Sequence, residues 1–210
     1  MDVKEAYDIW AFQYDSNQNK TRDLEAFAIR YELDKIKFSN CLEIGCGTGK
    51  NTEWLVSESG KIVAIDLSDE MLNKAKGKIS SEKVAFVRAD IKEEWTFTES
   101  KFDLISFSLV LEHIENLDHI FCETAKKIVP NGYVYIGELH PFKQYTGTKA
   151  RFEDEKGLHI VKCFNHHISD FIHSARKYGF EIQNINEYFD NNDRNTIPRI
   201  LTILLNKGRN

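Results

Sequence analysis

The sequence predicts an α/β fold: a doubly wound sheet of seven strands, mostly parallel, with helices on both faces. Three observations carry that reading. Apolar runs of strand length alternate with helical patterns from residue 41 onward, and strand, helix, strand repeated this way means parallel pairing through right-handed crossovers. The run from Phe102 to Leu109 is nearly all apolar, as a strand covered on both faces must be. The first apolar strand also ends in three glycines at alternate positions, Gly45, Gly47 and Gly49, which feed a helix.

Taken in order, residues 1–38 read as helical and are rich in aromatics, among them Tyr7, Trp10, Phe12, Tyr14, Phe27 and Tyr31. Strands are predicted at 41–45, 61–66, 83–87, 102–108, 133–139, 181–187 and 199–206, and helices at 48–58, 69–79, 117–128 and 166–178. Asn131-Gly132 after Pro130 supplies a turn before the fifth strand. Ser169-Asp170 offers an alternative cap for the last helix, which would move its start by about three residues. Residues 140–165 fall outside the alternation and hold further aromatics, two glycines and mixed charges. Ligands of a doubly wound sheet bind outside the carboxyl ends of its strands. The chain is therefore read as one domain, 1–210, with 1–38 as a helical lid and 140–165 as a substrate-side insertion; some of the aromatics must simply pack on the sheet.

A chain of 210 residues with 41% hydrophobic and 29% charged residues suits one soluble α/β domain with a sizeable core. Its net charge of −5 speaks against a nucleic-acid partner. The longest apolar stretch, Leu104 to Leu111, is far short of a membrane span, and the N-terminus lacks a signal-peptide core. The expected location is cytoplasmic. The four cysteines, at 41, 46, 122 and 163, contain no C-x-x-C pair, which argues against disulfide or metal chemistry.

The chemistry is concentrated in Cys41-Leu-Glu-Ile-Gly-Cys-Gly-Thr-Gly49. Glycines at this spacing leave no Cβ on the loop, so a ligand can lie against the backbone. The free N–H groups of the following helix face the same cleft. Asp66 ends the next strand, where a carboxylate can accept both hydroxyls of a ribose. A phosphate-binding G-x-x-x-x-G-K-[ST] loop fails here, because Ile44 and Asn51 occupy its outer positions. The dinucleotide pattern G-x-G-x-x-G fails as well, since Lys50 or Thr52 falls at its last position.

What remains, Glu43-x-Gly45-x-Gly47-x-Gly49 with a downstream acid, resembles the first motif of class I S-adenosylmethionine-dependent methyltransferases, and the resemblance extends over about residues 40–206. It implies a Rossmann-like sheet with an antiparallel last strand, S-adenosylmethionine as cofactor and S-adenosylhomocysteine as product. It assigns Asp66 to the ribose, Leu67 and Met71 to the faces of adenine, and Asp90 with its neighbour Ile91 to the adenine edge. Phe107 and Ser108, in a stretch similar to the fourth motif, would contact the methionine end. Glu43 and Cys46 belong to the glycine loop and are placed at the cleft, with no chemical role for the thiol. Tyr14 lies where small-molecule members of the family place an aromatic segment over the cofactor, and Arg22 could pair with the cofactor's carboxylate.

Alignment of donor and acceptor is the main demand of methyl transfer, and a base is required only if the acceptor must lose a proton. Histidine is the natural base near neutral pH. His140, at the start of the insertion, is the first candidate, His113 the second, and His166-His167 a further place. Leu109-Val-Leu-Glu-His113 is similar to the metal-holding E-x-x-E-H run of ubiquinone-type O-methyltransferases, but Leu109 replaces the first carboxylate, so no metal is expected. The fourth strand is not followed by the [DN]-P-P-[YF] of adenine and glutamine methyltransferases. The expected acceptor is thus an O or N atom of a small molecule. A methyltransferase acting on tRNA or protein, and a non-catalytic module that only holds the cofactor, stand as alternatives.

Overall fold

A computed structural model describes residues 2–208. The chain opens with helices α1 (Val3–Trp10) and α2 (Lys20–Leu33). The alternating core follows: β1 (Asn40–Ile44), α3 (Lys50–Glu58), β2 (Lys61–Asp66), α4 (Asp69–Lys78), β3 (Val84–Arg88), β4 (Phe102–Ser108), α5 (Leu117–Lys127) and β5 (Ile128–Leu139). A short helix α6 (Pro141–Tyr145) and a hairpin of β6 (Arg151–Asp154) and β7 (Gly157–Ile160) precede α7 (Ile168–Lys177), β8 (Phe180–Tyr188) and β9 (Ile200–Lys207). Among the described residues, no helix is long and apolar enough to cross a membrane.

The seven-stranded sheet has the order β3-β2-β1-β4-β5-β9-β8. The pairs β1/β2, β1/β4, β2/β3 and β4/β5 are parallel, whereas β9 runs antiparallel to both β5 and β8. The strand order reverses between β1 and β4, which opens a crevice at the carboxyl edge just after the glycine loop. Side chains alternate across the sheet. Leu42, Ile105, Phe107, Val134 and Ile136 pack with α5 and α7, while Cys41, Ile62, Leu104 and Tyr135 pack with Ile29, Leu33 and Leu55 of α2 and α3.

Helix starts follow their caps. Ser68 accepts from the Met71 N–H, and acids open and lysines close α4, as its dipole prefers. The last helix begins at Ile168, two residues later than the periodicity suggests, because the Asp170 carboxylate accepts the His167 N–H. The fifth strand starts earlier than expected. Ile128 already pairs with Phe102, an irregularity carries Pro130 and the left-handed Asn131, and regular register resumes at Tyr133.

The two segments outside the alternation part company. Helix α2 covers β5 and β9. By contrast, α1 docks on α4 and the hairpin: Ala6, Trp10, Met71, Phe152 and Val161 form a separate apolar cluster, with Trp10 stacked on Phe152 at 5.2 Å. The first half of the N-terminal segment thus meets the insertion. The hairpin itself was not anticipated from the sequence.

Candidate active site

The glycine loop is bound to β2 by two backbone hydrogen bonds, from the N–H groups of Gly45 and Cys46 to the carbonyl of Ile65. Gly45 has φ +71°, and a Cβ there would stand 2.8 Å from Val110, so neither the conformation nor the space admits a side chain. Gly47, at φ +53°, has nothing within 4 Å of where its Cβ would be, because it borders open crevice.

Asp66 meets this loop directly. One carboxylate oxygen accepts the Gly47 N–H and the other the Ser68 N–H, each at 2.8 Å. Burial pushes its pKa up, and the backbone N–H groups of Ser68, Gly47 and Leu67 oppose that shift. Each oxygen still has an unused acceptor site, and the residue lines the crevice.

The crevice has two chambers that share Tyr14, Gly45, Gly47, Ser108 and Leu109. The larger, about 760 Å³, is bordered by Leu67, Ala89, Asp90 and Ile91 after β2 and β3, by Val3, Lys4 and Tyr7 of α1, and by Val110 and His113 after β4. The smaller, about 470 Å³, is bordered by the side chains of Asp15, Arg22, Glu25, Glu43, Cys46 and Asn51.

Charges in the smaller chamber are unevenly matched. Glu43 is pushed up to about 8 by burial although it accepts the Thr52 hydroxyl at 2.6 Å. Glu25 is raised for the same reason while accepting from Asn51 and Tyr135. Arg22 donates to the carbonyls of Tyr14 and Asn17 and lies 3.9 Å over the Tyr14 ring. Arg22 Nε and Asn51 Oδ1 are buried without a partner. One orphaned donor and one orphaned acceptor on residues that line the same chamber as two buried carboxyls suit a zwitterionic amino-acid end.

The wall after β4 is held in an uncommon conformation. Leu109 has φ +55°, and the Glu138 carboxylate accepts the N–H groups of Val110 and Leu111 at 3.0 and 2.8 Å. Burial, with the Glu112 charge adding to it, pushes Glu138 up to about 8. A non-glycine residue in left-handed backbone costs about 1–2 kcal/mol, and such strain gathers at functional sites.

The structure brings together Tyr14, Arg22, Glu43, Gly45, Cys46, Gly47, Asp66, Leu67, Asp90, Ile91, Ser108 and His113 around the crevice. Four anticipated residues lie elsewhere. Met71 is fully buried against α1 and the hairpin. Phe107 belongs to the α5/α7 side of the core, because alternation along β4 sends Ser108, not its neighbour, to the crevice. Gly49 caps α3, where a Cβ would meet Ile79 and Ala75. His140 is fully buried away from both chambers: its Nε2 lies 3.0 Å from Glu187, and its Nδ1 accepts the Phe142 N–H. Of the two anticipated base candidates, only His113 borders the crevice.

Sequence reasoning missed Tyr7, Glu25 and Asn51. An acid inside the apolar stretch Glu25–Ile29 was the one available signal for Glu25. Among the described residues, Glu112, His113 and Cys163 are also close enough, within 4.8 Å, to offer three donors to a metal ion.

The profile of the methyltransferase domain matches residues 42–136. An uncharacterized methyltransferase of Emericella nidulans is 25% identical across 98% of this chain and 85% of its own length. A ubiquinone biosynthesis O-methyltransferase of Hydrogenovibrio crunogenus is 27% identical across 67% of this chain, which spans 59% of that relative. In structure, the chain resembles DhpI in its S-adenosylhomocysteine complex (TM-score 0.77, 19% identity, 99% and 96% of the two chains). It also resembles the N-methyltransferase NodS of Bradyrhizobium japonicum (TM-score 0.74, 17% identity, 99% of each). At such identities the structures speak for the fold alone. The matched stretch, which contains the glycine loop and both strand-end acids, is similar to a methyltransferase domain.

Proposed function

We propose that the crevice takes S-adenosylmethionine, adenosine in the larger chamber and the amino-acid end in the smaller, and that the chain methylates an O or N atom of a small molecule. The observation that carries this reading is the Asp66 carboxylate bound to the bare backbone of the glycine loop, at Gly47, where the two chambers join.

In this reading the Asp66 oxygens hold the ribose hydroxyls, Asp90 and the backbone at Ile91 take the adenine edge, and Leu67 covers its face. Arg22 Nε serves the carboxylate and Asn51 Oδ1 the ammonium group. The uncompensated acids Glu25 and Glu43 suit a cationic ligand, which would draw them toward ionisation. Bound there, S-adenosylmethionine supplies an electrophilic methyl group. The protein's part is alignment, which can contribute about 7–11 kcal/mol, together with exclusion of water by Tyr14 and α1. His113 serves as the base where one is needed.

An O-methyltransferase of ubiquinone biosynthesis and an N-methyltransferase occur among the proteins the chain resembles, and a crevice walled by Tyr7 and Tyr14 favours a small, partly apolar acceptor. Calorimetry tests the cofactor assignment: S-adenosylmethionine and S-adenosylhomocysteine should bind and NAD should not. Micromolar NAD affinity would overturn it. A metabolite screen with labelled methyl donor then identifies the acceptor, and label found only in tRNA or protein would replace the small-molecule reading.

A further inference from the structure

The wall of the larger chamber contains a hydrogen-bonded pair drawn from segments 106 residues apart: the Tyr7 hydroxyl lies 2.8 Å from Nε2 of His113. The other ring nitrogen, Nδ1, lies 2.8 Å from the carbonyl oxygen of Lys162. A carbonyl can only accept, so Nδ1 carries the proton of the neutral ring and Nε2 is left bare to accept from Tyr7. The rings meet edge to face at 5.4 Å and 79°. His113 is fixed by the turn after β4 and Tyr7 by α1, so the pair exists only while α1 lies across the crevice.

We infer that Tyr7 and His113 together take the acceptor's proton, so that the acceptor is a molecule whose nucleophilic oxygen or nitrogen carries a proton that must leave during transfer. The inference rests on the cofactor reading above. As the acceptor's lone pair closes on the methyl carbon, the carbon–sulfur bond breaks and leaves its electron pair on sulfur. The acceptor's proton passes to the Tyr7 oxygen, and the Tyr7 proton passes to Nε2. The resulting imidazolium later returns its proton to solvent. The groups around the pair are consistent with this. Glu112 adjoins the ring, and its carboxyl, buried with one orphaned oxygen, would stabilise the imidazolium. From the loop after β7, Cys163 Sγ lies 3.8 Å from Nδ1, and burial holds its thiol neutral, at about 12. Tyr14 and Asp66 face Tyr7, and burial keeps the Tyr7 phenol protonated, fit to relay a proton but not to store a charge.

The test uses the full chain, 15N-labelled at histidine and saturated with S-adenosylhomocysteine, alongside Tyr7→Phe and His113→Gln. Ring-nitrogen spectra from about pH 5.5 to 9 bracket the ordinary histidine range. They should show the neutral His113 proton on Nδ1, and Tyr7→Phe should move the Nε2 resonance while leaving Nδ1 in place. A proton on Nε2, or an unmoved resonance, overturns the pair whichever acceptors are used. Methyl transfer is then read with catechol, phenol and phenethylamine as probes. Turnover of the accepted probes should fall about 100-fold or more in both variants, with cofactor affinity within twofold. The wild-type rate should rise with pH and level off, whereas the variants' rates keep climbing as the acceptor ionises unaided. Unchanged turnover in Tyr7→Phe with normal cofactor affinity overturns the pair alone; absence of S-adenosylmethionine binding to the wild type overturns the cofactor reading instead.

Discussion

The two sides of the crevice are built in opposite ways. The floor comes from the ends of adjacent parallel strands: Gly45 and Gly47 after β1, Asp66 at the end of β2, Asp90 after β3 and Ser108 at the end of β4. Each is placed by backbone ladder and local turn, and its neighbours in space are its neighbours in the sheet. The roof is assembled from distant stretches. Tyr7 reaches His113, Trp10 reaches Phe152, and the Thr48 hydroxyl donates to Asp15 at 2.6 Å. Asp8 likewise accepts from the Ser68 hydroxyl at 2.6 Å. A floor of this kind suits an invariant ligand, whereas a roof held by a few side-chain contacts can open, close and vary with the acceptor. Such a difference predicts that damage to the floor removes cofactor binding, while damage to the roof removes turnover.

The largest effect should come from Gly45→Val. A Cβ at 2.8 Å from Val110 overpacks the loop at about 1–3 kcal/mol, and left-handed backbone adds about 1–2 kcal/mol. Thermal melting should drop by roughly 5–15 °C for a chain of this size, and calorimetry should show no S-adenosylmethionine binding. Next comes Asp66→Ala, which strands the N–H groups of Gly47 and Ser68 and removes both oxygens proposed to hold the ribose. Affinity should weaken at least about tenfold, since hydrogen bonds to a charged group are worth about 1.5–3 kcal/mol. If affinity is unchanged, the ribose lies elsewhere and the floor has been misassigned.

This contrast also explains what could be read from sequence. Gly45, Gly47, Asp66, Asp90 and Ser108 are legible because strand ends and glycine spacing fix them locally. The parallel core was legible for the same reason. Met71 was misplaced because helical spacing says that a side chain faces inward, not which neighbour it meets; here the neighbours are Trp10 and Phe152. Phe107 fell on the wrong face of β4 because its strand is apolar on both sides, which hides the alternation. Tyr7, Glu25 and Asn51 acquire their places only through tertiary packing. The β6/β7 hairpin escaped because its strands are four residues each, too short for a period to declare itself.

The floor makes a prediction about pH as well. Glu43 has a folded-state pKa of about 8, above the ordinary 4.5. Between those values the unfolded chain has lost the proton while the folded chain keeps it, so stability falls as pH rises through that window and is greatest below it. Glu138, also at about 8, acts in the same direction. The ligand-free protein should therefore melt at progressively lower temperature from about pH 5.5 to 8, and Glu43→Gln should flatten that slope. Cation binding should expel the Glu43 proton at neutral pH, seen as a buffer-dependent binding enthalpy that shrinks in Glu43→Gln. A binding enthalpy independent of buffer would mean that the carboxyl does not sense the ligand.

The smallest effect is expected at the fully buried His140, and it is informative for that reason. The ring joins the end of β5 to β8 through Glu187 and caps α6 through the Phe142 N–H. Replacing it by glutamine should cost about 0.5–1.5 kcal/mol per lost hydrogen bond and lower the melting temperature by a few degrees. Cofactor affinity and turnover should both stay within about twofold, because neither chamber touches the ring. A tenfold loss of turnover at unchanged affinity would place the acceptor beside the insertion instead of beneath α1. The roof would then be a different surface from the one that Tyr7 and His113 define.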